Sequence, residues 1–128
     1  MSEQNKKIVE EINAAFAEGN VEKFLEKCTE NVEWTMVGEK HVIGKSAIRE
    51  WMASMEGMEP PKFSVDRIIA EGDSVVCYGD MTMKDKDGKD AAYGFCDIYR
   101  FSGDKIAELT SYVVKTQTET QDERRAAA

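Results

Sequence analysis

Histidine occurs once in this chain, proline twice and cysteine three times, and none of the cysteines forms a CxxC pair. That inventory offers no ligand set at the spacing a structural or catalytic transition-metal site needs. Lys/Arg-rich runs are also missing. With 25 acidic against 17 basic residues the net charge is −8, so the chain repels polyanions and lacks the electrostatic footprint of a nucleic-acid binder. No apolar run is long enough to span a bilayer, and the polar start MSEQNKKIVEE lacks the character of a signal peptide. A glycine-rich phosphate loop and a nucleophile elbow are both absent. The acidic stretch DKDGKD, residues 85 to 90, is a turn and not a calcium loop: Gly88 comes too early, and the twelfth position would be Cys96. Cys28, Cys77 and Cys96 all fall in expected helix or strand beside apolar residues. They read as reduced core thiols of a cytoplasmic protein.

What is present fits one domain. The 128 residues are 41% hydrophobic, enough to bury a core without staples. Over residues 3 to 18, Ile8, Val9, Ile12, Ala15 and Phe16 recur at helical spacing, and Gly19 supplies the stop. Asn20 then caps a second helix with the stripe Val21, Phe24, Leu25 and Cys28. The run 32 to 37 switches to period two, with Val32, Trp34 and Met36 on one face. A third helix, SAIREWMASME, places Ile48, Trp51, Met52 and Met55 on one stripe, with Ser46 near its start and Gly57 past its end. Pro60 and Pro61 block its continuation.

From residue 62 the pattern is four strand-like runs, 62 to 71, 74 to 84, 90 to 101 and 105 to 115, separated by EGD, KDKDG and SGD. These make an antiparallel meander whose one face three N-terminal helices can cover, so the fold class is α+β. Residues 1 to 117 form the domain, and 118 to 128 read as a polar frayed tail.

Three signatures, AEGNVEKFLEKCTENVEW, IGKSAIREWM and DIYRFSGDKIAEL, together resemble the SnoaL-like and ketosteroid-isomerase-like branch of the nuclear transport factor 2-like superfamily over about residues 5 to 116. The resemblance implies a cone-shaped curved sheet wrapped over the helices (an α+β barrel), an apolar cavity open at one end, a small hydrophobic ligand and a homodimer through the outer sheet face. Acid/base chemistry in such a cavity requires no organic cofactor and no metal. Relatives acting on steroids or polyketides carry a carboxylate just ahead of an aromatic-Arg-Phe sequence, which here is Asp97. In ketosteroid isomerase that acid is held neutral and donates a hydrogen bond to a developing oxyanion. The isomerase's base falls at Trp34 and its oxyanion tyrosine at Ile12, so neither residue carries over. Epoxide-hydrolase relatives have an Arg-x-Asp pair where this chain has Tyr78-Gly79-Asp80. Where many relatives place a His or Trp in the last strand, this chain has Leu109, Thr110 and Ser111.

The candidate catalytic residues are Asp97, Asp80 and His41. Asp97 shares strand parity with Tyr93, Phe95, Tyr99 and Phe101, so on an inward face it is desolvated among aromatics and its pKa rises into an acid/base range. On an outward face it is a solvated rim carboxylate. Asp80, with the parity of Val76 and Tyr78, adds a second carboxylate if that row is inward. His41, in the stretch GEKHVIG read as a loop near the mouth, is a proton shuttle or a solvated side chain. Trp34, Met36, Trp51, Met55, Tyr78, Tyr93, Phe95, Tyr99, Leu109 and Ser111 are the expected cavity lining. The function so read is small-molecule binding with acid/base chemistry of isomerase, cyclase or hydrolase type on a carbonyl, enol or epoxide compound; the alternative is a non-catalytic binding or association module.

Overall fold

The computed structural model describes residues 2–55, 60–85 and 87–116. Helix α1 (Ser2–Ala17) ends where Gly19 takes a positive φ of 73°. Asn20 then caps α2 (Val21–Glu26), its side chain accepting a hydrogen bond from the Lys23 amide at 3.2 Å. This satisfies one of the amides that a helix start leaves without an intrahelical partner. Strands β1 (Cys28–Met36) and β2 (Lys40–Ile43) follow, then α3 (Lys45–Ala53) and four long strands: β3 (Lys62–Glu71), β4 (Ser74–Lys84), β5 (Asp90–Ser102) and β6 (Lys105–Lys115).

The strands form one sheet in the order β2-β1-β6-β5-β4-β3. The expected meander is there from β3 to β6, every pair antiparallel. Strand β1 instead lies parallel to β6, which it can do because the whole of the chain between them serves as the crossover. The sheet is curved and mixed but does not close, since β2 and β3 remain as edges. It is an open cone, not a complete barrel.

Curvature has a local device at Gly79. Strand β3 has an irregular register between Val65 and Arg67, and Val65 pairs with Gly79. There the neighbouring strand approaches so closely that a Cβ on Gly79 would lie 2.1 Å from the Ser64 carbonyl oxygen. Only a residue without a side chain fits such an approach.

Three boundaries differ from the sequence expectation. Cys28 is not on the α2 stripe: α2 stops at Glu26, and β1 begins at Cys28, four residues before the expected start. The segment around His41 is a short edge strand and not a loop, pairing Trp34 with Val42 and Thr35 with His41. Helix α3 ends at Ala53, so Met55 lies in the turn beyond it. Gly57 and the tail from 118 lie outside the described residues, as does residue 117, the expected end of the domain.

The core lies between the helices and the concave face of the sheet. Ile8, Val9 and Ile12 from α1, Phe24 and Leu25 from α2 and Ile48 from α3 pack on Val32, Trp34, Val75, Cys77, Tyr99, Phe101, Ile106 and Leu109. Aromatic rings brace it: Trp34 stands 5.0 Å from Trp51 and 5.5 Å from Phe24, both edge-on, the geometry that the ring quadrupoles favour.

Candidate functional site

In β5 the alternation of burial settles which row faces the helices. Ala91, Phe95, Tyr99 and Phe101 are buried, while Ala92 and Arg100 are exposed. Asp97 belongs to the buried parity and therefore sits on the concave face, where it is half-buried. Its cross-strand neighbours are Cys77 on β4 and Ser111 on β6.

The carboxyl is held in place by a hydrogen-bond relay. The Trp34 indole N–H donates to the Ser111 hydroxyl at 3.0 Å, and that hydroxyl donates to Asp97. Two opposing effects set the proton affinity. Burial among apolar side chains penalises the charged form, and the Ser111 bond favours it; burial is the larger, and the pKa rises from 3.8 to about 6.

Two further groups crowd the same place. Tyr99, fully buried one residue pair deeper, has a hydroxyl without a hydrogen-bond partner. Burial pushes its pKa well above the ordinary value, and the nearby Asp97 charge adds to the rise. Cys77 is buried, and its thiol pKa is raised chiefly by burial and also by the Asp97 charge. From above, Asn13 of α1 donates its side-chain N–H to the Cys77 sulfur at 3.3 Å.

The lining residues divide by burial. Trp34, Phe95, Tyr99, Leu109 and Ser111 are buried on the concave side, and Met36, Trp51 and Tyr93 are half-buried and packed against the same core. Met55 is half-buried in its turn. Phe63 of β3 stacks edge-on against Phe95 at 5.4 Å and extends the aromatic wall. Two surface cavities lie away from Asp97. One, of about 350 Å³, is a polar groove against Glu33, Arg100 and Glu108; the other, of about 40 Å³, lies near Pro60 and Asp90.

Two of the expected catalytic residues are elsewhere. On β4 the buried row is Val75, Cys77, Gly79 and Met81, so Tyr78 and Asp80 lie on the opposite, outer face, with Tyr78 half-buried and Asp80 exposed. The expectation that they face the interior is corrected: both rows of β4 carry apolar residues, and only the inner one meets the helices. His41 likewise points outward from the edge strand, because its neighbour Val42 is the buried one. It lies 3.9 Å from Glu33 on the exposed side. Cys96 is on the outer face too and only half-buried, so it is not a core thiol, whereas Cys28 and Cys77 are. Burial drives the Cys28 thiol up to about 12.

Among the described residues no group of three His, Cys, Asp or Glu side chains is placed to hold a metal ion. No described helix is long and apolar enough to cross a membrane.

An open, curved α+β sheet with a carboxyl-bearing concave face under three helices is the nuclear transport factor 2-like fold. The chain belongs to the SnoaL-like domain family, which matches residues 9–109. Among solved structures it is similar to an NTF2-like protein of unknown function from Cytophaga hutchinsonii ATCC 33406, with 27% identity, a TM-score of 0.71 and coverage of 85% of this chain and 98% of that one. An NTF2-like protein of unknown function from Burkholderia pseudomallei K96243 superposes with a TM-score of 0.79 at 18% identity, over 98% and 97% of the two chains. An LEH-like epoxide hydrolase from M. tuberculosis superposes with a TM-score of 0.76 at 14% identity, over 88% and 84%. No curated protein sequence is significantly similar to this chain.

Proposed function

We propose that this protein binds a compact hydrophobic molecule bearing a carbonyl, enol or epoxide oxygen on its concave face, where Asp97 gives or accepts the proton in chemistry of isomerase, cyclase or hydrolase type. The observation that carries this reading is the half-buried carboxyl on the aromatic concave face, tethered by Ser111 and titrating near 6. A group of that affinity is shared between its two forms close to neutral pH, which is what general acid/base work requires. The half-buried Met36, Trp51 and Tyr93 supply an apolar surround for the ligand body. Such chemistry uses no organic cofactor or metal, and the free cysteines fit a cytoplasmic location. The family's epoxide-hydrolase neighbour supports hydrolase-type chemistry only as an analogy of fold.

The test is a thermal-shift screen of wild type and Asp97→Asn against small ketones, terpenoids, epoxides and aromatic acids. A ligand that raises the melting temperature of wild type and not of the variant supports the site, because binding to the native state alone stabilises it. A screen whose every hit stabilises both proteins equally counts against Asp97.

A non-catalytic binding module is the second reading, and a specific observation favours it. With Asp80 and His41 on the outer side, neither expected acid/base partner stands beside Asp97. A pocket with one titratable group can bind without turning over. We propose also that the protein self-associates through the outer sheet face, where Ile69, Tyr112 and Val114 are exposed. A dimeric mass in light scattering at micromolar concentration is the expected result.

A further inference from the structure

Asn13 is a polar side chain turned toward the sheet, and its hydrogen-bond partner there is a poor one. Its amide N–H rests on the Cys77 sulfur at 3.3 Å, and a thiol sulfur is a weak acceptor. Cys77 is the direct cross-strand partner of Asp97, so their Cα atoms are roughly 5 Å apart and their side chains leave the sheet side by side. Helix α1 packs over β3 and β4, which brings Asn13 down from the helical layer onto that pair. Asn13 and Asp97 are both half-buried. Exchanging the sulfur for an oxygen acceptor would strengthen the amide's hydrogen bond at little cost.

We propose that Asn13 is a second ligand-contacting residue of the concave site, and that Asn13 with Asp97 selects a neutral α-hydroxy ketone. The carbonyl oxygen accepts from the Asn13 N–H while the adjacent hydroxyl donates to the Asp97 carboxylate. This inference rests on the reading of Asp97 given above and deepens it. The two protein groups are a donor and an acceptor placed next to each other, and an α-hydroxy ketone presents the complementary acceptor and donor on neighbouring carbons. A 1,2-dicarbonyl would set lone pairs against the carboxylate. A 1,2-diol would point a surplus proton at the Asn13 N–H, which cannot accept it, and at the thiol, a weak acceptor. Aromatic side chains along Trp34, Phe95 and Phe63 suit a phenyl-bearing member of the class.

The test uses three small probes: 2-hydroxyacetophenone, acetophenone, which lacks the hydroxyl, and 2-phenylethanol, which lacks the carbonyl. Affinities are measured by amide-resolved NMR titration of wild type, Asn13→Ala and Asp97→Asn, each first shown to be folded by its spectrum. The expected result is crossed. Asn13→Ala weakens the two ketones about tenfold and leaves 2-phenylethanol within about twofold, the size of one lost hydrogen bond. Asp97→Asn weakens the two hydroxyl compounds and spares acetophenone. If Asn13→Ala weakens all three probes equally, or none, while Asp97→Asn keeps its selectivity, the assignment of Asn13 is overturned and that of Asp97 stands. If no probe binds wild type, or Asp97→Asn changes nothing, the reading of Asp97 falls and the assignment of Asn13 falls with it.

Discussion

The Trp34 indole nitrogen and the Ser111 hydroxyl, 77 residues apart in the chain, meet at 3.0 Å on the concave face. The contact uses the Ser111 oxygen as acceptor and leaves its proton for Asp97. A single hydroxyl therefore satisfies a buried indole and orients the candidate acid.

Replacing it should separate these two roles. Ser111→Ala removes the bond that lowers the Asp97 pKa, so the carboxyl should titrate above its present value of about 6. The same change strands the Trp34 N–H and should lower stability by about 1 to 3 kcal/mol. Carboxyl-carbon NMR titration and thermal melts read the two effects. A pKa that falls or stays in place would contradict the relay.

Asp97 also makes stability depend on pH in a stated direction. Its pKa is raised on folding, so the native state holds the proton more tightly than the unfolded chain does. The favourable contribution is complete below pH 3.8 and is lost as pH rises through about 6. The gap corresponds to roughly 3 kcal/mol, reduced to about 2 kcal/mol by solvent screening of a half-buried group. Asp97→Asn should accordingly exceed wild type in stability by about 2 kcal/mol at pH 8 and match it below pH 4. Denaturant unfolding at the two pH values checks this.

Tyr99→Phe deletes a hydroxyl that is fully buried and without a hydrogen-bond partner. A lost phenolic O–H with a good partner would cost about 1 kcal/mol or more. Here the variant should equal wild type or gain up to about 1 kcal/mol, as measured by chemical denaturation. A clear loss would mean that the hydroxyl is satisfied in solution.

Gly79→Ala tests the close approach of β3. The added Cβ would lie 2.1 Å from the Ser64 oxygen, and both groups belong to backbone. Relief requires the strands to part, so a loss of at least about 2 kcal/mol is expected. An alanine variant with an unchanged melting temperature would show that β3 does not press on Gly79.

The sequence made the four long strands legible because short glycine- and aspartate-bearing turns separate them, and it favoured an inward Asp97 because that residue shares its row with Tyr93, Phe95, Tyr99 and Phe101 while the alternate row carries no aromatic. It did not reveal the facing of β4. Val76 and Tyr78 on the outer side are as apolar as Val75 and Cys77 on the inner side, so there is no amphipathic contrast to read, and Asp80 followed Tyr78 onto the wrong face. Strand β2 escaped detection because it is four residues long and enclosed by Gly38 and Gly44, which read as loop punctuation. Asn13 gave only a faint signal: a short polar residue next to Ile12, on the flank of the buried stripe of α1. Its contact depends on how the helix is rolled on the sheet, and helical periodicity cannot determine that to within one residue.

The parallel pairing of β1 with β6 has a consequence for the order in which the protein assembles. Strand β1 appears early in the chain, yet the neighbour that holds it is the last strand. Closing so long a loop is slow and must precede the contacts that reward it. The hairpins from β3 to β6 pair locally and are expected to lead, bringing Cys77, Asp97 and Ser111 together; Trp34 reaches Ser111 only when the long loop closes, so the candidate acid is placed before the indole that braces it.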